Sequence, residues 1–333
     1  MSKIIFFCHD DRSKLESFEY YKQDIDALKS LNHEVIICTK YQEIPLRFDV
    51  MFIWWWTYAL YPALLCKILN KPCIITGTFN FKFPDGHDYF KRPIWQQILI
   101  KIATKISTLN LFVSQLELDG CSKYFKLKND RYYPHTIHND YLQGASESRE
   151  MSLFNLAWSG KDNLNRKGIP ELLNAVYLLK NEGITVHLNL AGMEGDGIEY
   201  LKKIIRDLNL TNEVNYLGML SREEKIRMLR TCEIYVQPSH YEGFGLATAE
   251  AMGCGACIIV CDVGAVKEVV GDCGYYVSPG SSEELAKAIK NVIFDENLRH
   301  KFQERAYQRV NSYFADDIKL ERLKKYLLEI GIS

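Results

Sequence analysis

An alternation of short apolar runs with longer amphipathic stretches constrains this chain more than any other feature. Runs at 3–8, 34–39, 49–55, 73–78 and 108–114 read as strands, with helices expected at 15–30, 58–69 and 93–107. Apolar runs separated by helices imply a parallel sheet covered on both faces. The rhythm lapses between 139 and 152, where NDYLQGASESREMS is polar, with one glycine and three serines, as suits a linker. It then resumes with strands at 154–159, 186–191, 214–217, 234–238 and 257–261 and helices at 169–182, 199–208, 222–229 and 246–252. The expectation is an α/β chain of two doubly wound, Rossmann-like domains, 1–145 and 153–310, facing across a cleft, with a helix at 314–331 packing back on the first. Such sheets bind ligands at the carboxyl ends of their strands. A length of 333 residues fits two cores of that size.

Composition removes several alternatives. At 47% hydrophobic and 25% charged the chain is neither disordered nor fibrous. The 41 basic residues nearly cancel the 42 acidic ones, so there is no global field for nucleic acid and any anion recognition must be local. Cys38, Cys73, Cys257 and Cys261 lie inside apolar runs, as reduced core thiols of a cytoplasmic protein do. Residues 1–7 lack the basic start and long apolar stretch of a secretory leader. Cys254 and Cys257 form C-x-x-C, but zinc needs two further ligands, and the pair ends a helix rather than opening one. The charge-free stretch 50–66, with Trp54, Trp55 and Trp56, is short for a membrane span and divides better at Pro62 into a strand and a helix.

The segment PSHYEGFGLATAEAMGCG, 238–255, carries the chemistry. A strand ends at Pro238, Gly243 and Gly245 allow a tight loop around Phe244, and a helix begins near Leu246. Free N–H groups at a helix start attract an anion, and a diphosphate is the natural guest. Glu242 precedes the loop and Glu250 lies about two helical turns beyond it. Carboxylates beside an anion site repel phosphate but accept hydrogen bonds from sugar hydroxyls. Together they suit the ribose and the hexose of a nucleotide sugar.

Residues 155–290 resemble the nucleotide-binding half of the retaining glycosyltransferases of family four (glycosyl transferases group 1), which have the GT-B fold. The resemblance runs through WSGKDNLNRKGIPELLNA, VHLNLAGMEGDG, VNYLGMLSREEKIRML and YVQPSHYEGFGLATAEAMGCGACIIVCDVGAVKEVV. It implies that Glu250 binds the ribose, that Glu242 binds the transferred sugar, and that Gly243, Phe244, Gly245 and Leu246 contribute amides to the donor site. Lys167, in RKG, matches the lysine that neutralises the diphosphate, and Gly160-Lys161 stands where the family has Gly-Arg, with one extra residue before Lys167. Either Lys161 or Arg166 supplies a second cation. A metal is then not required, and the D-x-D of Asp24-Ile25-Asp26 reads as the solvent face of an amphipathic helix. The family's Gly-Gly loop after the first strand is replaced by His9-Asp10-Asp11, and its histidine after the fourth is missing. His87 is the nearest catalytic substitute, with His9 as the other candidate.

The reading is a cytoplasmic retaining glycosyltransferase with no cofactor, moving a sugar from a nucleoside-diphosphate sugar, a UDP-sugar, to a glycan or lipid-linked acceptor. A nucleotide-sugar epimerase or hydrolase of the same fold, and a non-catalytic nucleotide-sugar-binding subunit, are the alternatives. Between 79 and 131 nine Lys or Arg stand against five Asp or Glu. The helix at 93–107 aligns Trp95, Ile98, Leu99, Ile102 and Ile106 in one stripe, with Lys91, Arg92, Lys101 and Lys105 elsewhere. Either that stripe packs on its own sheet, or the helix rests on anionic lipid at the inner face of the cell membrane.

Overall fold

The computed structural model describes residues 1–81, 88–144 and 149–333. Its contacts divide the chain into two units, Met1–Thr136 with Asp316–Ser333, and Ile137–Ala315.

The first unit is built on a six-stranded sheet in the order β2-β1-β3-β4-β5-β6. Its strands are β1 (Lys3–Cys8), β2 (Glu34–Cys38), β3 (Val50–Trp54), β4 (Cys73–Gly77), β5 (Leu109–Phe112) and β6 (Asp130–Tyr132), paired in parallel. Strands β1, β3, β4 and β5 are apolar along most of their length because helices cover both faces. Those helices are α1 (Arg12–Ser17), α2 (Glu19–Ser30), α3 (Leu60–Ile68), α4 (Ile94–Ile106) and α5 (Gln115–Phe125). The single helix expected at 15–30 breaks at Phe18, whose extended backbone separates α1 from α2.

The second unit repeats the architecture, with parallel strands in the order β12-β11-β10-β7-β8-β9. Its strands are β7 (Glu150–Leu156), β8 (His187–Ala191), β9 (Val214–Tyr216), β10 (Cys232–Gln237), β11 (Cys257–Cys261) and β12 (Tyr275–Val277). The helices are α6 (Lys161–Arg166), α7 (Ile169–Asn181), α8 (Ile198–Asp207), α9 (Arg222–Thr231), α10 (Leu246–Gly253), α11 (Val266–Val270), α12 (Ser282–Phe294) and α13 (Glu296–Tyr313). The chain enters this unit at Ile137, ahead of the polar stretch. Ile137 and Tyr141 are buried in the same apolar cluster as Met252, and Gly253 lies so close that a Cβ there would stand 2.4 Å from the Ile137 side chain.

The last helix, α14 (Asp316–Glu329), packs on α2 of the first unit. A buried ion pair pins it: Lys319 Nζ lies 2.8 Å from Asp24 Oδ1, and the Trp54 indole N–H donates to Asp24 Oδ2 at 2.8 Å. Asp24 therefore does not face solvent as its D-x-D setting suggested. Its spacing from Tyr21, Ile25 and Leu28 puts it on the buried stripe of α2, where an ammonium from the far end of the chain compensates its charge.

Candidate functional site

In the second unit, β10 ends at Gln237 and the chain turns through residues 238–245 into α10. Gly245 takes φ +95°, in the left-handed region that favours glycine, and caps the helix. The first-turn N–H groups of α10 are thereby left at its amino end, where the helix dipole favours negative charge. Phe244 does not present its ring there. The ring is buried and meets Phe314 edge-on at 5.6 Å, so it anchors the loop.

Glu242 sits beneath this loop, 6% exposed. Its Oε1 accepts from Lys167 Nζ at 2.6 Å and from Ser239 Oγ at 2.7 Å, while Arg166 Nη1 stands 3.9 Å from Oε2. Burial pushes the Glu242 carboxyl up, but the charges of Lys167 and Arg166 and the two hydrogen bonds outweigh it and hold the group below the ordinary carboxylate range. Burial pushes the Lys167 ammonium down, with Arg166 adding to the effect and Glu242 opposing it. The hydrogen bonds continue inward: Gln237 Nε2 donates to Ser239 Oγ at 3.0 Å, and Tyr235 OH donates to Gln237 Oε1 at 2.7 Å. This buried series restricts the rotation of the Glu242 side chain.

The backbone around Glu242 is held as tightly. Ala265 N–H donates to the Glu242 carbonyl at 3.0 Å, and Gly264, at φ +55°, approaches so closely that a Cβ would lie 2.0 Å from that oxygen. Lys167 stands at the junction of α6 and α7, followed by Gly168 at φ +68°. A Cβ on Gly168 would lie 2.1 Å from the Pro238 carbonyl oxygen, so this glycine brings two protein loops together. His240 N–H donates to the Arg166 carbonyl across the same seam, at 2.8 Å.

Glu250, 3% exposed on α10, faces α9, where Lys225 Nζ lies 2.9 Å from its Oε1. Lys225 also rests over the Tyr141 ring at 5.1 Å. Of the two possible second cations, Arg166 is the one near Glu242, with its guanidinium also donating to the Tyr241 carbonyl at 2.9 Å. Lys161 instead extends over the Tyr200 ring at 5.6 Å. Gly160 caps α6 under crowding from the 192–197 loop, where a Cβ on Gly195 would stand 2.7 Å from the Gly160 nitrogen. Leu246 opens α10 and packs against the apolar cluster below it.

Lys167, Arg166, Glu242 and the 243–246 turn thus come together, with Glu250 along the same helix. His87 lies outside the described residues. In the first unit, His9 stacks on Tyr58 at 4.5 Å. Lys225, Ser239 and Gln237 were missed as site residues. Ser239 and Gln237 had a signal, a polar pair just before Glu242 where the strand ends, but Lys225 had none because α9 reads as a solvated helix. All ten cysteines are unbridged and buried. Among the described residues no three His, Cys, Asp or Glu are grouped so as to hold a metal ion.

Residues 161–309 match the family model described as glycosyl transferases group 1. That match lies wholly within the second unit and covers most of it. An Escherichia coli O-antigen chain mannosyltransferase B is 28% identical over 181 residues, which are 53% of this chain and 48% of that protein. The chain thus spans about half the length of this curated relative. A Campylobacter jejuni N,N'-diacetylbacillosaminyl-diphospho-undecaprenol alpha-1,3-N-acetylgalactosaminyltransferase is 28% identical over 287 residues, 81% of this chain and 73% of that protein. Among solved structures, Anabaena HepE in complex with UDP and glucose aligns with a TM-score of 0.79 at 17% identity, over 98% of this chain and 100% of that one. The likeness in fold covers both units, which have the GT-B architecture.

Proposed function

We propose that this protein is a retaining glycosyltransferase that moves a sugar from a UDP-sugar to a hydroxyl group of a surface glycan or lipid-linked acceptor, with no metal ion taking part. The observation that carries the reading is the buried pairing of Glu242 with Lys167, with Arg166 nearby, beside the amino end of α10. Rupture of the bond between sugar and diphosphate gathers negative charge on the departing phosphate while the sugar becomes oxocarbenium-like. Lys167, Arg166 and the first amides of α10 then stabilise the transition state more than the ground state. Glu242, fixed by Ser239 and Lys167, accepts hydrogen bonds from the transferred sugar. Glu250, kept compensated by Lys225, accepts them from the ribose. The UDP of the Anabaena protein and the lipid diphosphate in the Campylobacter relative's name favour these choices of donor and acceptor.

A panel of nucleoside-diphosphate sugars tests the donor, because a ligand that binds the native state alone raises the melting temperature. The UDP-sugars are expected to give the largest rise. Product made with the best donor should keep the donor's anomeric configuration by NMR, and an inverted product would remove the retaining assignment. Glu250→Ala is expected to weaken UDP binding by about 1.5 to 3 kcal/mol in calorimetry, the worth of a charged hydrogen-bond partner. An unchanged dissociation constant would take the ribose from Glu250.

A further inference from the structure

In the first unit, α3 and α4 each turn an apolar stripe away from the protein. Ala63 and Cys66 of α3 and Ile100 and Ala103 of α4 meet in one apolar cluster, and the two helices pack side by side. Their opposite sides therefore look outward together. On that outer side Leu64 and Ile68 of α3 are 40% and 80% exposed, and Trp95, Ile98 and Ile102 of α4 are 59%, 52% and 41% exposed. The expected stripe on α4 is present, but Ile100, Ala103 and Thr104 form its buried side and Trp95, Ile98 and Ile102 its outer side. Lys67, Lys101 and Lys105 stand exposed among these residues, and neither helix contains an Asp or Glu.

Two adjacent stripes of large apolar side chains rimmed by charge mark an interaction surface. The charged residues of the two helices are all lysines and the stripes include an exposed tryptophan, a combination that suits the boundary between anionic headgroups and acyl chains. Among the described residues no helix is long and apolar enough to cross a membrane. We infer that the outer face of α3 and α4 docks on an anionic lipid bilayer. The stripes enter the headgroup boundary while Lys67, Lys101 and Lys105 reach the lipid phosphates with their stems on the apolar surface. This deepens the proposed function by bringing the enzyme to a lipid-linked acceptor, yet it does not depend on the donor chemistry.

The test is co-sedimentation of the full chain, without donor, with vesicles of phosphatidylcholine alone or mixed with phosphatidylglycerol. The chain is expected to sediment with the anionic vesicles and to leave them as salt rises, since exposed charges are screened. Lys101→Gln with Lys105→Gln should lower the partition coefficient roughly 25-fold, about fivefold per lysine. Trp95→Gln with Ile98→Gln should lower sedimentation with the anionic vesicles even at low salt, because the apolar contact is then lost. All four positions are exposed, so melting temperatures should stay at the parent value. A parent that remains in the supernatant, or variants that sediment like it, would overturn the inference. So would self-association without vesicles that the same variants abolish, because the face would then belong to a second copy. No outcome depends on sugar transfer, so failure of the enzymatic reading leaves this result interpretable.

Discussion

Lys167 compensates a carboxylate buried to 6% exposure, and this confounds any substitution meant to test its proposed role at the departing phosphate. Lys167→Ala leaves Glu242 with Ser239 and the more distant Arg166, and removing one partner of a buried pair costs about 3 to 5 kcal/mol. Adding Glu242→Gln should restore most of that stability in urea denaturation while leaving transfer impaired. If the double variant is no more stable than Lys167→Ala, the pair is not the source of the loss. The pH dependence has a definite sign. The folded Glu242 carboxyl titrates below its unfolded value of about 4.3, so its stabilisation is complete above that value and is lost as pH falls through the lower folded one. Glu242→Gln should flatten the stability profile in that acid window.

At the scale of elements, the turn after β11 supports the site from behind. Gly264→Ala would force a Cβ into the Glu242 carbonyl from a left-handed backbone, and it should cost at least about 2 kcal/mol in denaturant midpoint and lower turnover together. A variant that is stable and fully active would show that the turn can yield. The sequence already contains the 238–255 segment in legible form, because glycines, a strand end and two carboxylates at fixed spacing are local signals. Gly264 was not legible as a site residue, since its need for φ +55° comes from a carbonyl 22 residues earlier in the chain. Strands buried on both faces were also readable as apolar runs. The short edge strands β6 and β12 were not, because partly exposed segments of three residues carry no period.

For the whole molecule, the return of α14 to the first unit makes that unit depend on both ends of the chain. Lys319→Met should destabilise the protein by about 3 to 5 kcal/mol by stranding Asp24, and Asp24→Leu with Lys319→Met should recover much of it. Equal stability of the two variants in urea would show that the charge is not what α14 supplies. Asp24 illustrates why long-range pairs escape a sequence reading. Its charge suggests the solvent face of the helix, and only the fold reveals the Lys319 ammonium that makes its burial tolerable. The central claim is that fixed charges of the protein, with Lys167 first among them, stabilise the departing diphosphate. Single-turnover transfer from the UDP-sugar that most raises the melting temperature, measured with and without EDTA, tests it most directly. The parent should be indifferent to chelator, and Lys167→Ala, assayed below its melting temperature, should be slower by roughly 100- to 1,000-fold. A parent silenced by EDTA, or a Lys167→Ala variant within a few fold of the parent rate, would contradict that claim.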